Sequence, residues 1–116
     1  MPAGSRGSGV ESRLLDLLEY QAILGAVITT VDGLLVANAA TNVPDAEHLA
    51  ATAVVVDRPG EDGPNYWDVV SEFGAIHVVS GSDLRLIVLT EPGIDARRIR
   101  PTLTEHLLDI EHMIRV

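Results

Sequence analysis

Two apolar runs, Ala26-Val27-Ile28-Thr29-Thr30-Val31 and Leu34-Leu35-Val36-Ala37-Asn38-Ala39, flank the dipeptide Asp32-Gly33. The first run is rich in β-branched side chains, which lose rotamers in a helix and pack well on a pleated surface. Asp-Gly supplies the positive φ angles of a type I′ turn, whose twist matches that of two antiparallel strands. The pattern predicts a β-hairpin over 26–39, the strongest local signal in the chain.

Upstream, Ser8 followed by Glu11 fits a capping box, and Val10, Leu14, Leu17 and Leu18 recur at helical spacing, which predicts a first helix over 9–22. Residues 1–9 read as a flexible tail, leaving 10–116 as a single domain. Downstream of the hairpin, Asn42 is a candidate cap for a second helix. Pro44 is tolerated in its first turn, and Asp45 and Glu47 are favoured there by the helix dipole. Residues 46–56 of that helix carry only Glu47 and His48 as ionisable side chains. A helix apolar around most of its girth must be covered on more than one side. Val54-Val55-Val56 alone would suit a strand, but no turn separates it from the helical start, and Pro59-Gly60 ends it.

Residues 57–65 have the composition of a loop, and 66–73, 75–79 and 84–90 read as three strands, turned at Gly74 and at Gly81-Ser82-Asp83. Pro92-Gly93 closes the sheet. Pro101 is expected as the first residue of a last helix bearing Leu103, Leu107, Ile110 and Ile114. The order is αββαβββα, an α+β fold.

Composition narrows the function. Eight arginines, no lysine and 17 acidic residues give a net charge of −9, which repels phosphate backbones. One Trp, two Tyr and one Phe provide few stacking platforms. Nucleic acid is therefore not expected as a partner. No cysteine is present for a disulfide, a thiolate nucleophile or a zinc site. The uncharged stretches 20–31 and 33–44 fall short of the ~20 apolar residues of a spanning helix. The N-terminus lacks the apolar segment of a signal peptide. Neither membrane insertion nor secretion is expected, and the cytoplasm is the expected location.

Catalytic signatures are absent. No Gly-x-x-x-x-Gly-Lys-Ser/Thr or Gly-x-Gly-x-x-Gly loop cradles phosphates, and no Gly-x-Ser-x-Gly turn exposes a serine. His106, Asp109 and His112 step by three along a helix, which gathers metal ligands poorly and fits a solvated face. His77 alternates with Ile76 and Val78, so a half-exposed place on the opposite side of the strand is expected for it. No catalytic, cofactor-binding or metal-binding residue is assigned, no cofactor is expected, and the chain does not read as an enzyme. Arg97, Arg98 and Arg100 form the one basic cluster, a candidate contact for an acidic partner. Trp67, the sole Trp, is a candidate for core filling or for an interface anchor.

Leu14-Leu15-Asp16-Leu17-Leu18, then Gly25-Ala26-Val27-Ile28-Thr29-Thr30-Val31-Asp32-Gly33-Leu34-Leu35-Val36-Ala37, then an Ala-rich helix and three closing strands resemble the roadblock family. That family, of profilin-like architecture, includes dynein light chains and bacterial partners of Ras-like small GTPases. The resemblance spans about 10–114. It implies a five-stranded antiparallel sheet between helices, a homodimer or heterodimer with a related roadblock-like subunit, and a scaffold or regulatory role toward a small GTPase. It carries no catalytic residue. Family members usually pair through the second helix and the adjoining strand. Ala46, Leu49, Ala50, Ala53, Val54, Tyr66 and Trp67 are therefore the candidate dimer-interface residues, and the acidic loop 57–65 departs from the family pattern.

Two functions remain: a non-catalytic dimeric adaptor that binds a small GTPase, and a PAS- or profilin-like module that senses a small molecule under its sheet. A pocket of the second kind needs convergent polar groups among apolar walls. The expected core positions are almost purely aliphatic, which favours the adaptor.

Overall fold

The computed structural model describes residues 6–20, 23–39, 43–56, 65–71 and 74–115. Its elements are α1 (Arg6–Leu17), β1 (Ile23–Thr30), β2 (Leu35–Ala39), α2 (Val43–Val56), β3 (Asn65–Ser71), β4 (Gly74–Ser80), β5 (Leu84–Thr90) and α3 (Ala96–Arg115). This is the expected αββαβββα order. The strands form one sheet, β2-β1-β5-β4-β3, in which every neighbouring pair is antiparallel.

Strand alternation divides the apolar residues between two faces. On one face Ala26, Ile28, Val79, Leu86 and Val88 pack with Val10, Leu14 and Leu17 of α1 and with Leu103, Leu107 and Ile110 of α3. On the other, Val27, Ile76, Val78 and Ile87 pack with Ala46 and Leu49 of α2. The result is three layers, with two helices on one side of the sheet and one on the other.

The hairpin forms, with a different turn. Gly33 N–H donates to the Thr30 carbonyl at 3.0 Å, and Thr30 N–H to the Leu34 carbonyl at 2.9 Å. Val31 and Asp32 are thus the central pair, and Gly33 follows them at φ 97°, a left-handed position that glycine occupies without a Cβ penalty. This three-residue connection replaces the expected two-residue type I′ turn. Ile28 then faces Ala37 while Thr29 faces Leu35. The bulge at Val36 re-aims Leu35 toward the α2 side, where it packs against the second cluster.

Several boundaries also move. Helix α1 begins at Arg6 and takes in residues 6–9, which the sequence reading assigned to the tail, so Ser8 lies inside the helix and does not cap it. It ends early because Leu18, Glu19 and Tyr20 N–H groups bond three residues back, to Leu15, Asp16 and Leu17 carbonyls, which tightens the last turn. Strand β3 is described to Ser71, which pairs with Gly74, so Gly74 opens β4; residues 72–73 of the expected strand lie outside the described residues. Helix α3 begins at Ala96, and Pro101 lies within it. Its cap is Asp95: Oδ1 accepts the Arg97 N–H at 2.9 Å, and the carbonyl accepts those of Arg98 and Ile99 at 3.0 and 3.2 Å. Residues 1–5, the candidate cap Asn42 and the loop 57–64 lie outside the described residues.

Candidate functional site

Helix α2 lies over β2, β1 and β5. Ala46, Leu49 and Ala50 are 0, 7 and 3% exposed, and Ala46 and Leu49 pack on the sheet. Their small or aliphatic side chains let the sheet approach, so these three candidate interface residues hold α2 to its own chain. The described outward positions are Asp45, Glu47, His48 and Ala51. The side chains of Ala53 and Val54 lie outside the described residues.

Beyond α2 the same face continues to β3, which is an edge strand. Trp67 packs partly buried against Ile76 and Val78, and Val69, two residues on, is 39% exposed. Tyr66 points the other way, because neighbouring strand residues alternate. It packs against the α1/α3 cluster, and the Arg100 guanidinium lies 5.6 Å from its ring centroid. The structure therefore separates Tyr66 from Trp67 and joins it to α3.

Arg97, Arg98 and Arg100 lie in the first two turns of α3, because that helix begins upstream of the expected Pro101. Arg97 is 94% exposed and its Nε lies 3.8 Å from Asp95 Oδ1, an arrangement of small energetic worth.

No protein-family model matches the sequence, and no curated protein matches it. Solved structures do match. A Roadblock/LC7 domain from Streptomyces avermitilis superposes with a TM-score of 0.74 at 19% identity, over 91% of this chain and 98% of that one. A second Roadblock/LC7 domain structure from the same organism gives 0.63 at 21% identity, over 97% and 100%. The gliding protein MglB from Thermus thermophilus gives 0.66 at 17% identity, over 92% and 91%. The chain has the Roadblock/LC7 fold. At these identities the likeness is one of fold.

Within this Roadblock/LC7 fold, His77 corrects the sequence reading. It does face opposite to Ile76 and Val78, but it is 1% exposed, because α1 and α3 cover that face as α2 covers the other. Its Nδ1 lies 2.7 Å from the Tyr66 hydroxyl and its Nε2 lies 3.0 Å from Thr90 Oγ1. Burial lowers the His77 pKa below its ordinary value, partly opposed by the Asp68 carboxylate. Burial also raises that of Tyr66, with Asp68 reinforcing and Arg100 opposing the shift. The contact arises from the β3–β4 register, which sets Asp68 opposite His77 and Tyr66 opposite Val79, diagonal to His77; no single-strand periodicity contains it.

A second buried polar group escaped the sequence reading. Glu111 of α3, 3% exposed, accepts the backbone N–H groups of Asp83 and Leu84 at 2.8 and 3.0 Å, and so ties α3 to the β4–β5 turn. Among the described residues no group of three or more His, Asp or Glu side chains could hold a metal ion. No described helix is long and apolar enough to cross a membrane.

Proposed function

We propose that the chain is a non-catalytic adaptor of the roadblock type, which pairs with a second copy or a related roadblock-like subunit and binds a Ras-like small GTPase in the cytoplasm. The observation that carries the dimer is the sheet face that runs past α2 to the open edge strand β3, with Trp67 and Val69 on its rim. An unpaired edge beside exposed apolar side chains is a template for another strand. A two-fold partner would pair the edge and cover both side chains together. The contact centres on Trp67, Val69 and the outward residues His48 and Ala51 of α2.

The GTPase part rests on the roadblock resemblance and is supported by the extent of the fold likeness, which takes in MglB over nearly the whole chain. The small-molecule reading is disfavoured because both sheet faces are filled by packed aliphatic side chains.

Light scattering across dilution tests the dimer: a dimer is expected, and Val69→Arg or Ala51→Arg should release monomer while Leu15→Arg, on an exposed position of α1, should not. A folded monomer persisting at high micromolar concentration overturns the pairing. Calorimetry with Ras-like GTPases of the source cell, in their GDP and GTP forms, tests the partner. Binding to none of them overturns that part, as would one-to-one micromolar binding of free GTP or ATP by the chain itself.

A further inference from the structure

The α1/α3 layer is open at one end. A cleft of about 570 Å³ lies between the end of α1 and the start of α3. Ile23 and Ile99, both buried, and Ile94, partly buried, form its floor, while the exposed Tyr20, Asp95 and Arg98 and the partly buried Thr102 stand at its rim. The floor is apolar, and the rim offers two hydroxyls, a guanidinium and the Asp95 carboxylate, whose Oδ1 is taken up by the Arg97 backbone N–H and lies beside the Arg97 side chain.

The charges around it are unusual for this chain. Three of its eight arginines fall within four residues, on a molecule of net charge −9. They occupy the start of a helix, where the backbone dipole disfavours cations, so helix stability does not explain them. Arg100 is engaged over the Tyr66 ring. Arg97 reaches solvent beside Asp95, and the Arg98 side chain has no ion-pair partner among the described residues. With Asp95 engaged by the helix cap and by Arg97, the Arg98 guanidinium is the charge left at the rim of an apolar cleft, on a chain that is acidic as a whole.

We infer that this cleft docks an acidic segment of a partner protein, in which one aliphatic or aromatic anchor residue is flanked by Asp or Glu. The anchor fills the Ile23–Ile94–Ile99 floor, and a flanking carboxylate meets the Arg98 guanidinium, whose planar fork matches carboxylate geometry. The acidic remainder of the chain repels such a segment elsewhere, which confines it to this end. The site lies on the layer opposite α2, so it does not depend on the dimer proposed above.

A phage-displayed random peptide library, depleted on the Arg97→Glu/Arg98→Glu variant and then selected on the full chain, tests this. Enriched peptides should carry acidic residues around a Leu, Ile or Phe. Synthetic copies should bind about tenfold or more weakly to Arg98→Glu, less weakly to Arg98→Lys, and should lose affinity as salt rises. Their amide shifts should fall on residues 20, 23 and 93–102, with Leu34→Ser binding as the parent does. Circular dichroism checks that each variant folds. Enriched peptides without acidic residues, affinity unchanged by Arg98→Glu, shifts centred on α2, or no peptide surviving depletion would each overturn the inference. So would a fall in the mass of the unliganded protein on Arg98→Glu, because the occupant would then be a second copy.

Discussion

The Tyr66 hydroxyl and Nδ1 of His77 share a hydrogen bond of 2.7 Å, and the bonds around them favour the neutral ring that carries its proton on Nε2. The Thr90 hydroxyl donates to the Glu91 carbonyl at 3.0 Å, so Thr90 Oγ1 accepts from His77 Nε2–H at 3.0 Å. Nδ1 is then the ring acceptor. One chain of hydrogen bonds thus joins edge strand β3 through β4 to the end of β5.

Protonation of His77 breaks that order. A second N–H at Nδ1 would oppose the Tyr66 proton, which would have to turn toward Asp68 Oδ2, 3.4 Å away. The folded pKa lies below the unfolded value of about 6.5, so the unfolded chain binds more protons in that window. The His77 contribution to stability is therefore complete above about pH 6.5 and is lost as the pH falls through the folded value. Denaturation midpoints should drop on acidification, and His77→Gln should flatten the part of the fall that begins near neutrality. An equally steep fall in that variant would contradict the assignment.

Tyr66→Phe removes the donor and keeps the ring under Arg100. It leaves a buried acceptor unpaired, which should cost about 1–3 kcal/mol, measured by urea unfolding at neutral pH.

Glu111 and Gly81 should be coupled. A Cβ on Gly81 would stand 2.7 Å from both Glu111 carboxylate oxygens, so Gly81→Ala should destabilise by displacing the acceptor of two backbone N–H groups. Glu111→Ala alone removes the acceptor of the buried Leu84 N–H and the part-buried Asp83 N–H, at about 2–3 kcal/mol. The double variant should lose clearly less than the sum, since the obstruction is already gone. Additive losses would show that the two act separately.

Neighbouring alanines of α2 should behave oppositely. Ala50 is 3% exposed, so Ala50→Arg buries an unpaired charge and should unfold the chain or remove several of a domain's ~5–15 kcal/mol. Ala51 faces outward, and Ala51→Arg should change thermal stability by less than about 0.5 kcal/mol when it and the parent are compared at a dilution where both are monomeric. Thermal melts of both variants check the contrast.

Pro101→Ala should stabilise. The exposed Pro101 lies inside α3 and has no N–H for the Arg97 carbonyl. Alanine restores that bond and improves helix propensity, by about 1–3 kcal/mol. An unchanged or lower melting temperature would show that the ring is packed to advantage.

Local sequence determined the element order, the hairpin, the apolar stripe of Leu103, Leu107 and Ile110, and the helical state of 46–56. These follow from periodicity, β-branching and turn chemistry, which act between residues close in the chain. Helix starts were less legible. Ser8-x-x-Glu11 mimics a cap inside α1, and Pro101 mimics a first helical residue, whereas the side chain and carbonyl of Asp95 receive the first N–H groups of α3. Only tertiary structure decided which side of α2 meets the sheet, that Tyr66 and Trp67 belong to opposite faces, and that His77 is buried. The physical reason is that burial belongs to a face and not to a residue. Periodicity names which side chains share a face, but the layer that covers it comes from residues far away in the chain, as Glu111 reaching Asp83 and the Ile23–Ile94–Ile99 cleft both illustrate.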